Sequence, residues 1–223
     1  MTQMNAMIVG HSVCARLQSD LIAGSDPQIE YSFKLAGKVD TIEFLGRGGK
    51  CTECVEKEDL KQICDEGPNI VVLMIGENDI FLDADPEGFA GRAASLTTMM
   101  CNKGYTEEVV ICKLLPRLCA PRCILYKMNG RKKDRISQYL ESYSQQVSVI
   151  NQELEAARKK LGQVTFWDHN GKFDAKHCRI QEKIGRDGIH LSAGSQYQLY
   201  KSLRGALTSA ANRLHNRSAT RTE

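Results

Sequence analysis

The 223-residue chain has no apolar run approaching the roughly 18 residues that a membrane-spanning helix needs, so no such span is expected. Its first residues, Met1-Thr2-Gln3-Met4-Asn5-Ala6-Met7-Ile8-Val9, lack a basic segment followed by a long apolar stretch, and no secretory signal is expected either. Excess charge of one sign is also missing: 30 Lys and Arg against 27 Asp and Glu leave +3, too little to imply a nucleic-acid partner. Aromatic residues make up only 6% of the chain. The basic stretch with Arg117, Arg122, Arg131, Lys132, Lys133 and Arg135 has only Tyr126 interleaved, so it offers no stacking platform for bases. It reads as a solvated connection, or else as a selector for an acidic substrate or partner. Internal repeats and low-complexity linkers are absent, which excludes a solenoid and favours one domain over residues 1–214, with a polar, frayed tail at 215–223.

What is present is ordinary for a globular protein: 42% hydrophobic and 26% charged residues, and a length sufficient for one sizeable core. Cysteine is the exception, with nine. Without an export signal these read as reduced thiols in a cytoplasmic setting, many of them buried as small hydrophobes. Cys51-Thr52-Glu53-Cys54 has metal-ligand spacing, and Cys119 and Cys123 come close to it. A structural zinc site wants four ligands, so no metal is expected.

Along the chain, short apolar runs alternate with helical periodicity. Ala6–Val9, Asn69–Ile75 and Val109–Leu115 read as buried strands, Thr41–Leu45 and Val164–Trp167 as further short strands, and Ile29–Leu35 alternates as a half-buried one. Helices are expected from Ser12, around Leu60 and Ile63, over Pro86–Asn102, over Ile136–Leu161, and over Ala193–Leu214. Such alternation implies an α/β fold, a parallel sheet covered by helices on both faces. In that architecture the working crevice lies beyond the carboxyl ends of the strands. Four polar loops fall there: Gly10-His11-Ser12, Gly46-Arg47-Gly48-Gly49, Gly76-Glu77-Asn78-Asp79 and Asp187-Gly188-Ile189-His190. Each has a plain structural reading alone, Ser12 as a helix cap, Asp187-Gly188 as a turn and Asn78 as a loop brace. His11, His169, His177 and His215 read as structural or solvated.

Taken together and in this order, the four blocks resemble the SGNH hydrolase superfamily, the GDSL-type esterases and lipases, over about residues 6–214. The resemblance implies a three-layer αβα sandwich with a flavodoxin-like parallel sheet. It implies Ser12 as nucleophile, His190 as general base and acid, and Asp187 as the group orienting the imidazole. It also assigns the oxyanion hole to the Ser12 amide, the Gly49 amide (with Gly48 as the second choice) and the Asn78 side chain. His11 departs from the family, which usually has Asp before the nucleophile. The expected activity is hydrolysis of short-chain acyl esters, acetyl esters above all, without metal or organic cofactor. The alternative is a catalytically silent module that binds a partner through the same crevice. Domains of this kind are similar to those of some retrotransposon-encoded proteins, and the chain begins almost directly on its first strand, as an excised domain would.

Overall fold

The computed structural model describes residues 4–24, 26–80, 86–119, 133–159, 163–173 and 180–220. Five strands form one parallel sheet: β1 (Asn5–Gly10), β2 (Thr41–Gly46), β3 (Ile70–Met74), β4 (Glu108–Cys112) and β5 (Val164–Trp167), in the order β2-β1-β3-β4-β5. β3 and β4 are buried at every position, as apolar runs on both faces require. Each fully buried Val, Ile or Leu contributes about 1.5–3 kcal/mol.

Successive residues of a strand serve opposite faces, and the core divides accordingly. Ile8, Val72 and Val110 face α1 (Ser12–Ala23) and α7 (Ala193–Thr220), meeting Leu17, Leu203 and Leu207. Met7, Val71 and Val109 face the other layer, where α3 (Leu60–Glu66), α4 (Pro86–Asn102) and α5 (Lys133–Arg158) contribute Ile63, Met100 and Ile150. The fold is the expected three-layer α/β sandwich. A short α2 (Thr52–Cys54) runs through a π-helical turn, Val55–Asp59, into α3, and α6 (Ile180–Lys183) is a single turn. Among the described residues no helix is long and apolar enough to cross a membrane.

Two expectations need correction. Residues 29–35 form a succession of turns rather than a strand, with Phe33 and Lys34 both at positive φ. Alternation arises there because Ile29, Phe33 and Leu35 turn inward, Phe33 stacking on Tyr200 at 4.6 Å between centroids. The last helix runs to Thr220 instead of ending at Leu214. Its extra turns are tied down by Glu108, fully buried at the start of β4, whose carboxylate accepts from Arg213 Nε at 2.9 Å and Arg217 Nη2 at 2.7 Å. A buried carboxylate demands such partners, and they lie at and beyond the expected helix end.

Candidate active site

In the order β2-β1-β3-β4-β5 the chain reverses direction between β1 and β3, and the crevice opens at their carboxyl ends. Ser12 follows β1 and Asn78 follows β3, so both flank that switch point. Ser12 is the first residue of α1, so it lies at the positive end of the helix dipole. His11, rather than Ser12, caps the helix: its Nδ1 accepts from the Val13 amide at 3.4 Å.

The loop between α6 and α7 delivers the other two groups. An antiparallel bridge joins Ile184 to Leu191, and the Gly185 amide donates to the His190 carbonyl at 2.6 Å, forming a tight loop whose tip carries Asp187 and Gly188. His190 Nε2 lies 2.7 Å from Ser12 Oγ, and His190 Nδ1 lies 2.7 Å from Asp187 Oδ2. Because a carboxylate only accepts, Nδ1 donates to it, and the Nε2 lone pair is left for the serine hydroxyl. Asp187 Oδ1 accepts from the amides of Ile189 at 3.0 Å and His190 at 2.9 Å, which fixes the carboxylate on its own backbone. Partial burial pushes the Asp187 carboxyl up, but the His190 amide and imidazole and the Ile189 amide outweigh it, holding the group well below the usual carboxylate range. Arg16, one turn along α1 from Ser12, lies 3.3 Å from Asp187 Oδ2, an exposed contact of small energetic weight.

On the other side of the crevice, the glycine loop and the Asn78 loop are bonded together. Asn78 Nδ2 donates to the Lys50 carbonyl at 2.9 Å, and the Thr52 amide donates to Asp79 at 3.1 Å. Lys50 is itself buried, its ammonium donating to the Leu45 carbonyl and to Asp59, each at 2.6 Å. Gly49 has φ +76, a left-handed conformation glycine adopts without strain, and it lies on the exposed rim of this loop. The structure thus brings Ser12, Asp187 and His190 into hydrogen-bonding contact, and places Gly49 and Asn78 on loops braced against each other.

Sequence reading missed the charges beneath the site. His11 Nε2 lies 2.8 Å from Glu77 Oε2, both side chains being buried. Nδ1 accepts from Val13, so Nε2 carries the ring proton at this short distance from the carboxylate. Glu77 Oε1 accepts from the Leu115 amide at 2.8 Å. Burial pushes the Glu77 carboxyl up, but His11, the Leu115 amide and the nearby Arg117 charge outweigh it and bring it down to about 2. Arg117 belongs to the stretch read either as a solvated connection or as a selector for an acidic substrate or partner; it is half-buried and donates to Asn78 Oδ1 at 2.9 Å. Residues 120–132 of that loop, with Arg122, Cys123, Arg131 and Lys132, lie outside the described residues, as does His177. Parallel pairing sets Gly10 opposite Met74, so the loops carrying His11 and Glu77 leave neighbouring strands at the same end of the sheet, but only the folded loop brings the two side chains together.

The thiols of Cys51 and Cys54 are 3.1 Å apart, closer than the roughly 3.8 Å at which two thiolates share a tetrahedral zinc with bonds of about 2.3 Å. Among the described residues no group of three or more His, Cys, Asp or Glu side chains is arranged to hold a metal ion.

The model of the GDSL-like lipase/acylhydrolase family matches residues 19–203, a stretch containing Gly49, Asn78, Asp187 and His190 and beginning after Ser12. The chain belongs to that family. As a GDSL-like lipase/acylhydrolase it is an enzyme that acts on ester bonds. Solved structures share the fold at low identity. A GDSL-like lipase from Bacteroides thetaiotaomicron is 14% identical with a TM-score of 0.67, covering 92% of this chain and 88% of its own. A family 3 carbohydrate esterase from Talaromyces cellulolyticus is 13% identical with a TM-score of 0.64, covering 95% and 99%. An acetyl-xylooligosaccharide esterase from Geobacillus is 12% identical with a TM-score of 0.61, covering 92% and 94%. No curated protein matches the chain significantly in sequence.

Proposed function

We propose that this family member is a serine esterase for short-chain acyl esters, acetyl esters in the first place, with Ser12, His190 and Asp187 as its catalytic triad. The observation that carries the reading is the unbroken chain of contacts from Ser12 Oγ through both ring nitrogens of His190 to Asp187 Oδ2, each link 2.7 Å. His190 Nε2 takes the hydroxyl proton as Ser12 Oγ attacks the acyl carbon, and Asp187 stabilises the imidazolium that forms. The tetrahedral intermediate carries its negative charge on the former carbonyl oxygen. The Ser12 amide, the Gly49 amide and one N–H of Asn78 serve as its donors, each worth on the order of 3 kcal/mol of barrier. His190 returns the proton to the leaving alkoxide, and water repeats the cycle on the acyl-enzyme. Acetate is released, and Ser12 regains its proton. Two solved structures of the same fold, an acetyl esterase and an acetyl-xylooligosaccharide esterase, support the choice of a small acyl group.

The test is labelling by a fluorophosphonate together with turnover of p-nitrophenyl acetate. Wild type should show both, and Ser12→Ala and His190→Ala neither. Labelling that persists in Ser12→Ala sinks the assignment, and a folded wild type inert to a broad ester panel favours the silent binding module.

A further inference from the structure

An asparagine amide can help an oxyanion only if its NH2 end, not its oxygen, faces the reacting carbonyl. The two ends have nearly the same shape, so something must choose between them. In this chain Asn78 Nδ2 donates to the Lys50 carbonyl and Asn78 Oδ1 accepts from Arg117 Nη2, both at 2.9 Å. A guanidinium has donors and no acceptor, and a carbonyl accepts only. Reversing the amide would set donor against donor at Arg117 and oxygen against oxygen at Lys50, so the pair of contacts permits one orientation. One Nδ2 proton is taken by Lys50, which leaves the second for the crevice.

Arg117 is itself fixed. Its guanidinium lies 5.2 Å from the Tyr143 ring centroid, and the Tyr143 hydroxyl donates to the Leu115 carbonyl at 2.9 Å, clamping the loop after β4. The next two residues of that loop, Leu118 and Cys119, donate their amides to the Gly188 carbonyl at 2.7 and 2.9 Å. One short loop therefore touches both the Asn78 amide and the loop that carries Asp187 and His190. Burial lowers the Arg117 pKa, but the neighbouring Tyr143 and Glu77 more than offset this, so the side chain stays cationic.

We propose that Arg117 is a positioning residue for ester hydrolysis, holding the Asn78 amide with its N–H toward the oxyanion and polarising that N–H through a charge-assisted bond to its oxygen. The proposal rests on the serine esterase reading. Arg117 does not touch the substrate; it acts through Asn78 alone. Its contribution is therefore to kcat, where the oxyanion develops, and it vanishes when Asn78 is absent.

The experiment is a double-mutant cycle of Arg117→Met and Asn78→Ala on p-nitrophenyl acetate turnover, with thermal unfolding of each variant. Arg117→Met should lower kcat tenfold or more, within the roughly 10²–10³-fold expected for losing the donor itself, and leave KM within about twofold. In the Asn78→Ala background it should lower kcat no further, and Arg117→Lys should recover part of the single-variant loss. Removing the guanidinium also strips a neighbouring charge from buried Glu77. If Arg117→Met unfolds, the same cycle in Arg117→Met/Glu77→Gln, measured against Glu77→Gln, decides the question. Unchanged kcat, or a loss that multiplies in full with that of Asn78→Ala, overturns the positioning role. A folded wild type that neither turns over esters nor takes the label overturns the esterase reading, and this role with it.

Discussion

The backbone amide of Cys119 donates to the Gly188 carbonyl at 2.9 Å, and a Cβ placed on Gly188 would sit 2.5 Å from the Cys119 Cβ. The loop after β4 and the loop bearing Asp187 and His190 are thus packed so closely that only hydrogen fits between them. Gly188 also has φ +70, where a side chain costs on the order of 1 kcal/mol or more. Gly188→Ala should lower the unfolding midpoint by several degrees and reduce kcat by moving His190 away from Ser12. Adding Cys119→Gly should recover part of both losses, because it removes the contact but not the φ penalty. A Gly188→Ala enzyme with wild-type kcat and stability would refute this account.

His11 stands where the family usually has Asp, and the structure supplies the reason it can: Glu77 opposite it provides the carboxylate. Changing His11→Asp keeps a competent helix cap but places two carboxylates together in the core. Stability should fall by about 3 kcal/mol in urea titrations, the range seen when a buried pair loses one partner. Glu77→Gln in the same chain should restore most of it. If His11→Asp proves as stable as wild type, the two side chains do not depend on each other.

Asp187→Asn tests the tautomer argument. The amide oxygen would occupy the position that now accepts from the Ile189 and His190 amides, and the NH2 would face His190 Nδ1. Nδ1 would then have to accept, the ring proton would move to Nε2, and His190 could not take the Ser12 proton. We expect kcat to fall roughly 10³–10⁴-fold with little change in stability. A loss below tenfold would show that the imidazole is oriented by something else.

His169 reports on the core by its pH dependence. It is fully buried, with Nδ1 3.0 Å from Ser202 Oγ, and burial is the main cause that lowers its pKa from 6.5 to about 4. Between those two values the unfolded chain binds the proton and the folded chain does not. Stability therefore rises with pH across that window and is lost as pH falls through it, by up to about 3 kcal/mol. His169→Asn should flatten the dependence over pH 4–6.5 in denaturant titrations. An unchanged slope would place the titrating group elsewhere.

Much of this could be read from residues in order. β3 is legible because a central parallel strand is apolar throughout, and α4 because Pro86 marks its first turn. The misreading at 29–35 has a physical cause. Apolar residues at alternate positions need not form a strand: the turns bring Ile29, Phe33 and Leu35 inward and leave Tyr31 between them exposed. The helix end is not legible locally, because the partner that holds Arg217 is Glu108, 109 positions away.

The sequence by itself determined which polar loops end the strands, since strand polarity and short polar blocks are local properties that periodicity and spacing expose. The resemblance of those blocks to a known family, rather than their spacing, is what points to Ser12, Gly49, Asn78, Asp187 and His190 as one proposed site. Only the tertiary structure decided what lies beneath them: that His11 answers Glu77, and that Arg117 leaves solvent to hold the Asn78 amide. Hydrogen bonds and Coulomb interactions depend on separation in space. Until the chain is folded, no spacing along it says which buried charge will meet which.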